Sequence, residues 1–213
     1  MTALNELLAY TDVLSRPRAS LAAAQAMMTP AVCELLVDLQ WWHTETLRCM
    51  VDRYGVDVVL RATQAHLTDI ISTVYGELVI LGPRGKRLLG VRSGTPASTT
   101  PDAAATHLYR RRALAHLEKT CGLTYDTLLD HGGRLHRALH TMRDPQGRQH
   151  VVMASHVGYA PATIRRAHQG MFARLILEQA DLIVVVPDRR RTAALERRPG
   201  YRLQVVPFRL PRG

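Results

Sequence analysis

Residues 93–101, SGTPASTTP, hold no large apolar side chain. Such a stretch adds nothing to a core, so the apolar residues on either side must find partners among themselves. The expected organisation is two folded regions, 1–94 and 102–213. The whole chain has 213 residues, enough for one good-sized core or two small ones. Hydrophobic residues make up 46% and charged ones 22%, a balance that supports folding and excludes a disordered tail.

The first region reads as helices followed by strands. Residues 3–14 carry Leu4, Leu7 and Leu8 on one stripe until Pro17 intervenes, and the Ala-rich run SLAAAQAMM follows. Thr29-Pro30 pairs an N-cap hydroxyl with proline at N1, and Val32, Leu35, Leu36 and Leu39 then share a face. Thr44 is the expected cap of a helix reaching Tyr54, which Gly55 ends. Asp57 is expected to open a third helix through Val58, Val59, Ala62 and Leu67, toward Ile71. Beyond it the period changes: ELVIL is an expected strand, GPRG a turn and KRLLGVR the returning strand. Helices on either side of a short turn, then a hairpin, is the order of a winged helix-turn-helix.

That order nominates side chains. On the third helix, Arg61, Gln64 and His66 are the candidates for base contacts, with Thr63 and Thr68 beside them. Arginine suits guanine edges and glutamine suits adenine. At the expected hairpin tip, Arg84, Lys86 and Arg87 would meet phosphate or the minor groove. Polar residues on one helix face also arise as an ordinary solvated surface, and a basic hairpin tip as an ordinary turn.

The charge lies elsewhere. Residues 1–92 carry nine Lys/Arg and nine Asp/Glu; residues 93–213 carry nineteen and nine, so they hold the whole excess of +10. Such an excess favours a polyanionic partner, nucleic acid first and anionic membrane second. Lys86 and Lys119 are the only lysines. Arginine gives planar bidentate contacts, although a GC-rich genome also raises its count. Arg110, Arg111 and Arg112 follow the polar stretch, Arg165 and Arg166 follow Pro161, and Arg189–Arg191 and Arg197–Arg198 bracket a short segment near the end. Neighbours on a helix lie about 100° apart, so no run is a single contact; together they suggest a broad basic face.

In the second region Asp102 is the expected cap of a long helix with Leu108, Leu114 and Leu117 as apolar contacts. Residues 134–142 fit either a strand or a short helix. QHVVMASHV, DLIVVVPD and YRLQVVPF read as strands separated by helical segments, a β-α-β-α-β order that implies a small α/β domain with a mixed sheet. The fold class expected for the whole chain is therefore α+β.

The stretch from about 30 to 92 resembles the winged-helix part of the plasmid replication-relaxation family. The residues that carry the likeness are ELVILGPRGKRLLG and the histidine-bearing HLYRRRALAHLEK. In that family a domain resembling the restriction-endonuclease fold follows the wing. The resemblance implies such a domain, in degenerate form, over 102–213.

Catalysis finds little support. A metal-dependent nuclease needs converging carboxylates and usually a lysine; Asp144 precedes QHVVMASHV, and that strand offers Ser155 and His156 but no Glu, Asp or Lys. His131, His136, His140, His150 and His156 crowd one stretch, and His136 and His140 have i, i+4 spacing, but no cysteine or intervening glutamate completes a zinc motif. No Gly-x-Ser-x-Gly occurs, and GPRGK is no P-loop. No catalytic residue, metal site or cofactor is expected. Cys33, Cys49 and Cys121 are scattered, no run reaches a membrane span, and the first residues lack signal-peptide character, which together suggest a cytoplasmic protein. The leading expectation is a bacterial, non-catalytic binder of double-stranded DNA in replication, transcription control or DNA maintenance of a chromosome or mobile element, with a homodimer open. The alternatives are a nuclease with an atypical site around Asp144 and His156, and a protein-interaction module built on the winged helix.

Overall fold

The computed structural model describes residues 20–90, 100–125, 139–177, 179–188 and 202–211. The chain divides into two units, residues 1–108 with 211–213, and residues 109–210. The stripe at 3–14, most of the polar stretch, residues 134–138 and the Arg189–Arg198 segment lie outside the described residues.

In the first unit, helix α1 (Leu21–Ala26) starts at Ser20, whose hydroxyl accepts from the Ala23 N–H. Helix α2 (Pro30–Trp42) starts as its sequence dictates: Thr29 Oγ1 accepts from Val32 N–H at 3.3 Å and Pro30 occupies the first turn. Val32, Leu35, Leu36 and Leu39 are buried on one face. His43, with φ of 65°, ends it in the left-handed region.

The next boundary differs from expectation. Thr44–Thr46 is a strand, β1, and the helix cap is Thr46, whose Oγ1 accepts from the Cys49 N–H to open α3 (Leu47–Tyr54). Thr44 is drawn into the sheet instead: it is fully buried, and its hydroxyl donates to the Val79 carbonyl at 3.2 Å. Arg53 on α3 pairs with Asp38 on α2 at 2.6 Å. Gly55 alone separates α3 from α4 (Val56–Gln64).

Helix α4 stops at Gln64 rather than running toward Ile71. His66 has φ of 55°, and Thr68–Thr73 is strand β2, paired antiparallel with β3 (Gly76–Leu81). β-Branched Thr68, Ile70 and Ile71 favour that strand, with Thr68 and Ile70 buried. The sheet order is β1-β3-β2. Its hairpin turns at Val74-Tyr75, where Gly76 supplies φ of 86°.

The segment expected to be turn and returning strand is helix α5 (Pro83–Leu88). The glycines of GPRG serve close approach, not chain reversal. A Cβ on Gly82 would lie 2.6 Å from the His66 carbonyl oxygen, and one on Gly85 would overlap that of Leu67. With both absent, α5 seats on the carbonyl end of α4. Arg84 N–H donates to His66 O, and the Arg84 guanidinium to Ala65 O at 2.9 Å. Carbonyls that a helix end leaves without partners are thereby satisfied.

Helix α6 (Pro101–Cys121) is capped by Thr100, not Asp102: Thr100 Oγ1 accepts from Ala103 N–H at 3.2 Å, and Pro101 takes the first helical position. Leu108, Leu114 and Leu117 are buried as expected, with Tyr109 and Ala113. In the second unit a five-stranded mixed sheet has the order β4 (Thr124–Tyr125), β5 (Leu139–Arg143), β6 (Gln149–Ala154), β7 (Leu182–Val186), β8 (Leu203–Pro207). β4, β5 and β6 pair antiparallel; β6, β7 and β8 pair parallel. Residues 139–142 are thus strand, and helix α7 (Pro161–Leu177) connects β6 to β7. Strand β7 is buried throughout, which accounts for its unbroken apolar run. Val151, Met153, Ile164, Leu182, Val184, Val186 and Val205 form the core between sheet and helix. The chain is α+β with a mixed sheet.

Candidate functional site

Three side chains on α4 face solvent: Asp57, Arg61 and Gln64. Their spacing of four and three puts them on one face. The opposite face, Val59, Ala62 and Thr63, is buried. Arg61 and Gln64, nominated together from sequence, are therefore brought together.

Their expected companions are not. Thr63 donates to Val59 O at 2.8 Å and shares a hydrogen bond with Thr68 at 3.0 Å, both hydroxyls being buried. His66 lies past the helix end, half-buried.

The cations expected at a wing tip belong to α5. Arg84 is half-buried and holds Ala65 O. Lys86 is half-buried near Asp69; burial lowers its pKa and the Asp69 charge opposes that shift. Burial likewise raises the Asp69 pKa, against the charges of His66 and Lys86. Arg87 is exposed. The real hairpin tip carries Val74, 51% exposed, and Tyr75, followed by the Ser72–Glu77 hydrogen bond across the strands at 2.9 Å. No cation sits at that tip.

The arginine clusters of the second unit divide. Arg166 is exposed and Arg165 half-buried on α7; Arg110, Arg111 and Arg112 are all half-buried on α6. Arg110 Nε donates to Ala154 O at 3.2 Å. A run that reads as a solvated face is partly packed against the sheet.

The β5–β6 hairpin shows what Asp144 does. Its Oδ1 accepts from the N–H groups of Gln146 and Arg148, each at 2.9 Å. Its Oδ2 takes Arg148 Nε at 2.7 Å and His150 Nε2 at 3.2 Å. Burial alone would raise the pKa, but the Arg148 N–H, the His150 ring and the Arg148 guanidinium outweigh it and hold the carboxyl well below the usual range. Two carboxylate oxygens offer about four acceptor positions, and four donors fill them. Asp144 is thereby tied into the turn of its own hairpin.

The hydrogen bonds continue along the amino ends of the strands. His150 Nδ1 accepts from Asp181 N–H at 3.2 Å, which leaves Nε2 to donate to Asp144. Asp181 pairs with Arg202 Nε at 3.2 Å, and the Arg202 N–H donates to His168 Nε2 at 3.2 Å. This chain of polar residues is not legible from spacing: the DPQG turn and His150 are visible, but Asp181, Arg202 and His168 come from distant segments. His140 lies on β5 near the Tyr125 ring, and His156 is half-buried after β6. Among the described residues no three His, Cys, Asp or Glu side chains converge to hold a metal, and no helix is long and apolar enough to cross a membrane. His131 and His136 lie outside the described residues.

No family model, curated protein or solved structure matches the chain.

Proposed function

We propose that the first unit is a winged helix-turn-helix and that the protein binds duplex DNA without cutting it. The observation that carries this reading is the exposed Arg61–Gln64 face on α4, the helix that follows α3 across Gly55. Its setting is consistent: helix α2, strand β1, helices α3 and α4, then the β2–β3 hairpin, in the sheet order β1-β3-β2. In this reading α4 enters the major groove and Val74-Tyr75 forms the wing, which touches DNA by shape and not by charge. The excess of +10 in residues 93–213 supplies phosphate attraction. The occupied Asp144 carboxylate supports binding without cleavage. The resemblance to the plasmid replication-relaxation family supports a role in bacterial replication, transcription control or DNA maintenance.

Fluorescence anisotropy with random duplex and single-stranded probes at two salt concentrations tests the reading, followed by selection of a preferred site. On that site Arg61→Ala and Gln64→Ala should each weaken binding by about 1–3 kcal/mol and relax preference at one position. Wild-type affinity and preference in both variants would remove α4 from the interface. Mg²⁺-dependent nicking that disappears in Asp144→Ala would favour the nuclease instead.

A further inference from the structure

Several polar side chains gather at the carboxyl ends of β6, β7 and β8. Helix α6 is tied to this end of the sheet twice. Tyr109 Oη donates to Phe208 O at 2.8 Å, just past β8, and Arg110 Nε donates to Ala154 O at 3.2 Å, the last residue of β6. Tyr159 Oη donates to the same Ala154 carbonyl at 2.9 Å, so both of its lone pairs are used. Arg110 is therefore anchored to the sheet through its Nε.

Arg209, exposed in the segment after β8, repeats the device: its Nε donates to Pro187 O at 3.2 Å, just past β7. Among the described residues no carboxylate forms an ion pair with either guanidinium. For the exposed Arg209 that means little. For the half-buried Arg110 it is informative, because a cation partly withdrawn from water is normally matched by an anion. Tyr159 does not supply one: burial raises its pKa, against the Arg110 charge and a hydrogen bond from Arg110 to its hydroxyl, so the neutral phenol engages part of the guanidinium without matching its charge. Segments 155–160, 187–188 and 208–211 contain one acid, Asp188, against Arg209 and His156.

We infer that the carboxyl end of this sheet binds a phosphate group, with Arg110 as the bidentate anchor and Arg209 at the rim. A guanidinium fixed at Nε presents its remaining planar N–H groups to two oxygens of one phosphate, which a point-charge lysine cannot do. Helix α7, 17 residues long, begins at Pro161 close after Tyr159 and adds the positive end of its dipole. Carboxyl ends of parallel strands are where open α/β sheets bind ligands. The phosphate belongs either to a DNA backbone or to a small phosphorylated ligand. This site stands independently of the winged-helix reading.

The test uses the full chain. Calorimetric titration with sodium pyrophosphate should show binding that Arg110→Ala weakens roughly tenfold or more, as expected for removal of a charge-assisted pair. Arg110→Lys should recover only part, because it restores charge without the planar fork. Arg209→Ala, at an exposed position, should weaken binding without changing the melting temperature, which guards against a folding artefact. If a short fluorescein-labelled duplex competes with pyrophosphate, and Arg110→Ala lowers its salt slope by roughly 0.9, the backbone is the source. If pyrophosphate binds through Arg110 but duplex does not compete, the source is a small ligand. Failure of the wild type to bind duplex at any salt would sink the DNA reading and leave this site standing. No pyrophosphate binding, or equal binding by all variants, overturns the site.

Discussion

Asp144, the carboxylate that precedes the strand QHVVMASHV, is engaged by four donors of its own hairpin. It sits before a strand, where an acid of an endonuclease-like domain is expected, yet its four hydrogen bonds all serve the β5–β6 turn. Its depressed pKa gives a stability prediction with a definite sign. The contribution is fully present above the unfolded value of about 3.9 and is lost as pH falls through the lower folded value. The wild type should therefore lose stability progressively below about pH 4. Asp144→Asn keeps an oxygen acceptor but removes the charge facing Arg148 and His150, so it should be less stable near neutrality and flatter in acid. Urea midpoints across that range provide the measurement; identical acid profiles for the two proteins would show that the carboxylate contributes nothing.

At the scale of elements, the segment GPRGKRL separates what is legible in the sequence from what is not. Two glycines and a proline near β-prone residues have the composition of a hairpin turn, and composition alone does not distinguish a reversal from a close approach. The distinction depends on the carbonyl end of α4, which a local window does not contain. Helix α5 makes a direct prediction. Arg84→Ala should lower stability by about 1 kcal/mol by removing its bond to Ala65 O, whereas Arg87→Ala, at an exposed position, should not change it. Chemical denaturation of the two variants decides; equal stabilities would mean that α5 does not depend on that bond. Strand β2 escapes a sequence reading for a similar cause, since Thr68, Ile70 and Ile71 directly follow a helix and prolong its apolar pattern. Features that are local in origin are legible: the Thr29-Pro30 start, the buried face of α2, the break at Gly55, the exposed Arg61–Gln64 pair and the unbroken apolar run of β7. Most residues of the polar chain at the amino ends of the second sheet come from segments far apart, and no spacing rule connects them.

Across the whole molecule, the proposed function places charge and base contacts on different stretches. Residues 1–92 are formally neutral, and the excess lies in residues 93–213. Attraction to a polyanion follows the cations that displace counterions, while preference among sequences follows contacts to bases. Changing Arg165 and Arg166 to alanine together should lower affinity for all duplexes alike and reduce the salt slope by roughly 0.9 for each phosphate that is no longer neutralised. Changing Arg61 should alter which sequences are preferred while moving the slope little, because a base contact releases few ions. Anisotropy titrations of both variants across a salt series separate the two effects. An unchanged slope in the Arg165/Arg166 double variant would mark that pair as ordinary surface.

Gly55 has φ of 86° and ψ of 150°, a region that only glycine occupies comfortably, and a Cβ built there would meet nothing within 4 Å. Every L-side chain at this position is thus penalised by the backbone itself, with no crowding that a neighbour could relieve. The penalty is independent of the size and polarity of the side chain, so the position offers no gradual route of replacement. Handedness alone guards it: the aim of the face bearing Arg61 and Gln64 is set by a residue that lends no atom to that face.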